Sequence, residues 1–159
     1  MTHDKTALRD ELVALLHREL DALEAAHRAV MEAATHEEAK PENDKDTRAL
    51  EQSYLARGQA LRVEALRAAL AETRATPVGP RDPSRPIGVG ALVTLADDEG
   101  ERVLFVAPHG GGNALAGGRV QVVTPASPLG RAVLGRTLGE VCEAVTAGKT
   151  REYEVSAVG

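Results

Sequence analysis

Tryptophan is absent from this 159-residue chain, and two tyrosines and one phenylalanine bring the aromatic share to only 2%. A core without large rings must be built from Leu, Val and Ala, which fits paired helices and a small sheet better than a large enzyme fold. The single cysteine, Cys142, excludes an internal disulfide and a cysteine-rich zinc site. It lies in an alternating strand pattern and reads as a small buried side chain. No apolar run approaches the roughly 18 residues needed to cross a bilayer. Met1 to Asp10 is polar, without the apolar centre of a signal peptide, so a cytoplasmic protein with no membrane partner is expected. The formal net charge of −5 argues against an electrostatic grip on nucleic acid by the whole protein, though not against a local basic patch.

Proline and glycine are missing from about Asp4 to Ala34, and the pattern there is helical. Leu12, Leu16, Leu20, Leu23, His27 and Val30 recur at spacings of three and four, which makes one helix face. His27 within it reads as a packed or edge histidine. His17 and His36 lack a partner at metal spacing. A second helical pattern, from about Asp44 to Ala75, carries Leu50, Tyr54, Leu61, Ala65 and Ala68 as its expected buried stripe, flanked by Leu55, Val63, Leu66 and Leu70. Gly58 interrupts it at a cost of about 1 kcal/mol relative to alanine. Two helices of about 30 residues joined by a tight turn should lie antiparallel, each about 45 Å long, as a projecting coiled-coil hairpin.

Between them runs Thr35-His36-Glu37-Glu38-Ala39-Lys40-Pro41-Glu42-Asn43-Asp44-Lys45-Asp46, with five carboxylates and the only proline before Pro77. Pro41 removes a backbone donor and clashes with the preceding turn, so the first helix should stop just before it. Asn43 or Asp44 can cap the next helix, and Asp46 adds charge near its positive end. Glu37, Glu38, Glu42, Asp44 and Asp46 either solvate a turn or present hard oxygen ligands suited to sharing a Mg²⁺ ion held elsewhere. Lys40, Lys45, Arg48 and Arg57 can contact phosphates or pair with neighbouring acids.

Pro77 ends the second helix, and the punctuation of Thr76 to Pro86 is that of a linker. The expected division is therefore a hairpin over 1–76, a linker over 77–87 and a second domain over 88–159. There the period changes to two, and Val89 to Leu95, Arg102 to Ala107, Arg119 to Thr124, Val141 to Thr146 and Arg151 to Val158 read as strands. Ser127 to Leu134 reads as one short helix with Ser127 as cap and Pro128 in its first turn. The expectation is an α+β chain whose second half is a small antiparallel sheet crossed by one helix. Gly130 to Thr137 nearly matches a phosphate-binding loop, but Arg136 stands where lysine is required, and Gly135 reads as a helix C-cap. His109 to Gly118 lacks dinucleotide-loop spacing and reads as a flexible connection. No Ser-His-Asp or Cys-His arrangement is suggested.

Two segments carry a family resemblance. Val123-Thr-Pro-Ala-Ser-Pro-Leu-Gly-Arg-Ala-Val-Leu-Gly135 resembles the Ser-Pro-hydrophobic-x-Arg segment of the Gre family of bacterial transcript cleavage factors. Gly148-Lys-Thr-Arg-Glu-Tyr-Glu-Val155 resembles that family's closing strand. At the tip, Pro41-Glu42-Asn43 supplies the Glu-Asn pair of the family's Asp-x-x-Glu-Asn motif, followed in register by Glu51-Gln52. The family's Asp falls on Ala39, with Glu38 adjacent as a substitute.

The resemblance implies a coiled-coil hairpin followed by an FKBP-like domain that docks at the rim of the secondary channel of RNA polymerase and does not isomerise proline. It implies an accessory factor, not an enzyme, acting as a monomer. The acidic tip would enter the channel of the polymerase core and stimulate cleavage of the displaced RNA 3′ end in backtracked complexes. Glu42 and Glu38 would share the polymerase's active-site Mg²⁺, helped by Asp44 and Glu37, and the factor would hold no cofactor of its own. Asn43, Lys45 and Arg48 near the tip, and Ser127, Pro128, Leu129 and Arg131 in the second domain, would meet the partner. Ala39 favours an alternative, a non-cleaving regulator or inhibitor on the same scaffold. An unrelated two-domain adaptor is a third reading.

Overall fold

The computed structural model describes residues 3–38 and 45–159, with side chains described over 3–36 and 47–159. Helix α1 spans Lys5–Glu38 and helix α2 spans Lys45–Ala75. Asp4 starts α1: its carboxylate accepts the Thr6 N–H at 2.9 Å, which satisfies one of the orphan donors of the helix start, and its carbonyl accepts the Leu8 N–H at 3.0 Å as the first intrahelical bond. Leu8, Leu12, Leu16 and Leu20, four residues apart, are all buried, and Leu23, His27 and Val30 continue the face half-buried. The expected stripe of α1 is therefore the observed one.

Two compact units make up the chain: the residues up to Ala14 together with Glu72–Gly159, and Leu15–Ala71. In the second, α1 and α2 pair antiparallel. Arg67 donates to Glu24 at 2.7 Å, and His27 Nδ1 lies 3.4 Å from Gln59 Oε1, which confirms it as an edge histidine. The buried face of α2 differs from the expected one. Val63, Ala69 and Leu70 are buried and Leu66 half-buried, whereas Leu50, Tyr54 and Leu61 are 54%, 62% and 62% exposed. Helix α2 is apolar on two opposite faces, so periodicity alone does not select one. The pairing chosen is the one that also joins Gln59 to His27 and Arg67 to Glu24.

In the other unit, strands β1 (Leu92–Asp97), β2 (Gly100–Val106), β3 (Ala114–Leu115), β4 (Val120–Val123), β5 (Val141–Thr146) and β6 (Lys149–Val158) form one sheet in the order β3-β4-β2-β1-β6-β5. The single short helix, α3, spans Pro128–Val133. The sheet is mixed, because β2 and β4 run parallel with Phe105 opposite Val122, while every other pairing is antiparallel. The connection from β2 carries β3 and returns the chain in the same direction, which a hairpin cannot do. Asp97 closes the β1–β2 turn by accepting the Glu99 and Gly100 N–H groups at 2.9 and 3.1 Å. Ala147 and Gly148, both at positive φ, make the two-residue β5–β6 turn.

The core between sheet and α3 contains Val93, Leu95, Leu104, Val106, Leu129, Val133, Cys142 and Tyr153. Strand alternation puts Phe105, Val120 and Val122 on the opposite face, also fully buried, with Leu115 paired to Val120.

The Pro-rich stretch after α2 is ordered by polar contacts. Arg81 donates to the Pro86 and Val89 carbonyls at 3.3 Å each, Ser84 is tied to Asp82, and Lys5 donates to the Gly79 carbonyl at 2.6 Å. The Lys5 amine titrates below its ordinary value through desolvation, with Arg81 adding repulsion. Among the described residues no helix is long and apolar enough to cross a membrane.

Candidate functional site

Helix α1 runs to Glu38 and α2 begins at Lys45, and the expected reversal at Pro41 falls between them, outside the described residues. Ala39, Lys40, Pro41, Glu42, Asn43 and Asp44 lie outside the described residues, and the side chains of Glu37, Glu38, Lys45 and Asp46 do as well. The helix bounds still bear on the acids. Glu37 and Glu38 occupy the last turn of α1, the negative end of that helix, where a carboxylate gains nothing from the macrodipole. Dipole complementation thus accounts for an acid at the start of α2 and not for these two. Arg48 is exposed in the first turns of α2. Below the end of α1, Arg28, Met31, Glu32, Thr35 and His36 line a shallow recess of about 250 Å³. Among the described residues no three His, Cys, Asp or Glu side chains converge on a metal position.

The second group of expected partner residues surrounds the start of α3. Ser127 is extended (φ −75°, ψ 153°), and its Oγ accepts the Gly130 N–H at 3.2 Å and the Thr124 N–H at 3.0 Å. The same hydroxyl donates to the Thr124 carbonyl at 2.9 Å. Gly130 follows from this tight turn, since a Cβ there would overlap the Thr124 carbonyl oxygen. Leu129 is buried in the core, while Pro128 and Arg131 are exposed. Of the four residues, Ser127 and Leu129 hold the helix in place, and Pro128 and Arg131 form its accessible edge. Gly135, at φ +79°, terminates the helix segment as the sequence predicts.

Sequence reasoning missed the role of the glycine-rich 109–118 segment, which is pinned and not a free connection. Glu11 accepts the Ala116 N–H at 3.0 Å, His109 meets Glu72 at 2.8 Å, and Asn113 donates to the Gly110 carbonyl at 2.8 Å. The available signal was Leu115, the one large apolar side chain in the glycine-rich segment, which is fully buried. An open basin of about 700 Å³ beside the β1–β2 turn includes Asp97, Glu99, Arg151 and Tyr153. Arg151 bonds Glu99 at 2.7 Å, which holds the guanidinium charged above its ordinary range.

No family model matches the chain. The chain is 29% identical over 161 residues to "Transcription elongation factor GreA" of Methylococcus capsulatus, covering 98% of each protein. Among solved structures, GreA factor homolog 1 (Gfh1) of Thermus thermophilus is 26% identical over 96% of this chain and 95% of its own, with a TM-score of 0.41. A GreA/GreB transcription elongation factor from Nitrosomonas europaea is 17% identical over 58% of this chain and 77% of its own, with a TM-score of 0.38. The end-to-end similarity to the Methylococcus protein, with the Ser-Pro helix start and the closing strand in the places the resemblance requires, supports a transcription elongation factor of the Gre family.

Proposed function

We infer that this chain is an accessory factor of bacterial RNA polymerase, entering the polymerase's secondary channel with the end of its helical hairpin. The observation that carries this is the similarity to a GreA protein across 98% of both chains. An antiparallel helix pair whose first helix ends in Glu37 and Glu38, acids that its dipole does not account for, and an ordered Ser-Pro helix with an exposed edge, support it. The protein contributes no active site of its own. The magnesium ion belongs to the polymerase, and Glu42 with Glu38 adds hard oxygen ligands beside it, Asp44 and Glu37 completing the negative field. The ion held there would supply an activated water for hydrolysis of an RNA phosphodiester bond in a backtracked complex, the P–O bond breaking as the retained strand leaves with a 3′-hydroxyl. Asn43, Lys45 and Arg48 meet the channel or the RNA, and Pro128 and Arg131 meet its rim.

A second reading, a regulator that occupies the channel without promoting cleavage, is favoured by Ala39 at the position of the family's tip aspartate. The test is RNA cleavage in stalled, backtracked complexes. Acceleration that Glu42→Ala abolishes, with polymerase binding retained, establishes the first reading. Intrinsic cleavage combined with slowed elongation establishes the second. Failure to bind polymerase at low salt removes both.

A further inference from the structure

The segment that leaves α2 is gripped by cations. Lys5, in the first turn of α1, donates to the Gly79 carbonyl at 2.6 Å, and Arg9, one turn on, reaches the Thr76 carbonyl at 3.4 Å. Arg81 donates to the Pro86 and Val89 carbonyls, and Arg85 stands beside Asp82. Arg9 is answered by Asp10 at 3.4 Å, and Arg85 by Asp82. Lys5 and Arg81 are not answered. Among the described residues neither bonds a carboxylate, and the acids near them are committed: Asp4 accepts the Thr6 N–H, and Asp82 accepts the Ser84 N–H and hydroxyl. Lys5 is partly desolvated and is repelled by Arg81. A neutral amide would hold the same carbonyls without that repulsion, so tethering the chain gives no reason for two charges. An anion shared by them does.

We propose that Lys5 and Arg81 bind a terminal phosphate group, free or carried by a phosphomonoester, beside the first turn of α1. Backbone carbonyls already hold both heads in place, and donors are left over. An ammonium has three donors and a guanidinium five, of which these bonds take one and two. Arg81 offers a planar fork and Lys5 a point charge, and each suits phosphate oxygens. Gly88 leaves room beside the fork, since a Cβ there would come 3.2 Å from Arg81 Nη2. Charge selects the ligand. A terminal phosphate carries close to two negative charges at neutral pH and matches both cations, whereas a carboxylate or an internal phosphodiester carries one. The chain's net charge of −5 gives no general attraction for a nucleic-acid strand, so selectivity rests on this pair. Neither residue is among those assigned to the polymerase, and the site stands whether or not that reading holds.

Amine acylation of the full-length protein at about pH 8, where phosphate is doubly charged, tests the site, read by mass spectrometry of the peptide that holds Lys5. Inorganic phosphate or adenosine monophosphate, replacing chloride at constant ionic strength, should slow acylation of Lys5 severalfold, because a bound dianion shields the amine and stabilises its charged form. Lys149, exposed at the β5–β6 turn, should acylate at an unchanged rate. Protection by the nucleotide alone identifies a phosphomonoester as the ligand, and equal protection by both identifies free phosphate. Arg81→Gln still offers a donor to the carbonyls, and should remove the protection while leaving the urea midpoint close to native. Arg81→Lys, which keeps the charge, should retain part of the protection. Phosphate that protects no better than chloride, equal protection of Lys149, or protection that survives Arg81→Gln overturns the proposal. So does protection by adenosine, which lacks the phosphate.

Discussion

The carboxylate of Glu11, on the first turns of α1, accepts the backbone N–H of Ala116 at 3.0 Å across 105 residues of sequence. Ala116 has φ +53°, a left-handed conformation that L-residues avoid. The charged acceptor fixes a turn that would otherwise relax, and it ties the 109–118 segment to the helix. Glu11→Ala leaves a partly buried donor unsatisfied and should cost about 1–2 kcal/mol, read as a fall in the urea midpoint at unchanged slope. Glu11→Gln keeps an acceptor oxygen and should recover about half of that loss.

A Cβ on Gly110, which has φ +84°, would come 2.7 Å from Leu12 Cδ1. Gly110→Ala is therefore disfavoured twice, by the backbone and by the overlap, and should destabilise by about 1–3 kcal/mol. Leu12→Ala removes a fully buried side chain and should cost about 2–5 kcal/mol. Because the deleted methyl groups are the ones the new Cβ strikes, the double variant should be more stable than the two losses added together. Additive losses would place the whole cost of Gly110→Ala in its backbone.

The parts of this fold that were legible in the sequence are those where one local pattern has one reading. The α1 stripe and the capped α3 are of this kind, as is β5, predicted and observed over Val141–Thr146. Helix α2 has apolar residues on opposite faces, and only contact with His27 and Glu24 decides between them. The parallel β2–β4 pairing was illegible because strand patterns encode faces, not partners. Strand β3 is two residues long and too short to alternate. At the hairpin end the expectation for Glu38 and Glu42 rests on the sequence resemblance alone, whereas pinning by Glu11 became visible only when residues a hundred positions apart were brought together.

Ser127 and Gly130 form one device and should respond to substitution differently. Ser127→Ala removes the helix cap and the hydroxyl bridge to Thr124, at a cost of about 1–2 kcal/mol. Gly130→Ala drives a methyl group into the Thr124 carbonyl, which is backbone and cannot rotate away, and should cost more than the lost cap. Thermal melts of both variants should show the larger fall in Tm for Gly130→Ala.

Cys142 is 2% exposed, and burial pushes its thiol above the ordinary value, so little thiolate forms at neutral pH. The native protein should resist a thiol-specific reagent, with labelling limited by opening of the sheet and becoming fast in denaturant. Glu11→Ala should accelerate labelling if unfolding of the whole unit is the route by which the thiol is reached. An unchanged rate would assign exposure to local fraying of β5, the edge strand that carries the cysteine.

The Glu140 carboxylate accepts from the Thr137 backbone N–H and, at 3.1 Å, from its hydroxyl. Both bonds favour the charged form and hold the pKa below the ordinary carboxylate range, with a smaller contribution from Arg136. The folded value is depressed relative to the unfolded one, so the associated stability is fully present above the unfolded pKa. It is lost as pH falls through the folded one. Glu140→Gln should therefore lower stability at neutral pH and flatten the acid limb of a stability–pH profile, the two proteins converging at low pH. The side chain is exposed and solvent screens it, which keeps the difference small. Parallel acid limbs for the two proteins would show that the Thr137 bonds do not distinguish the carboxylate from the acid.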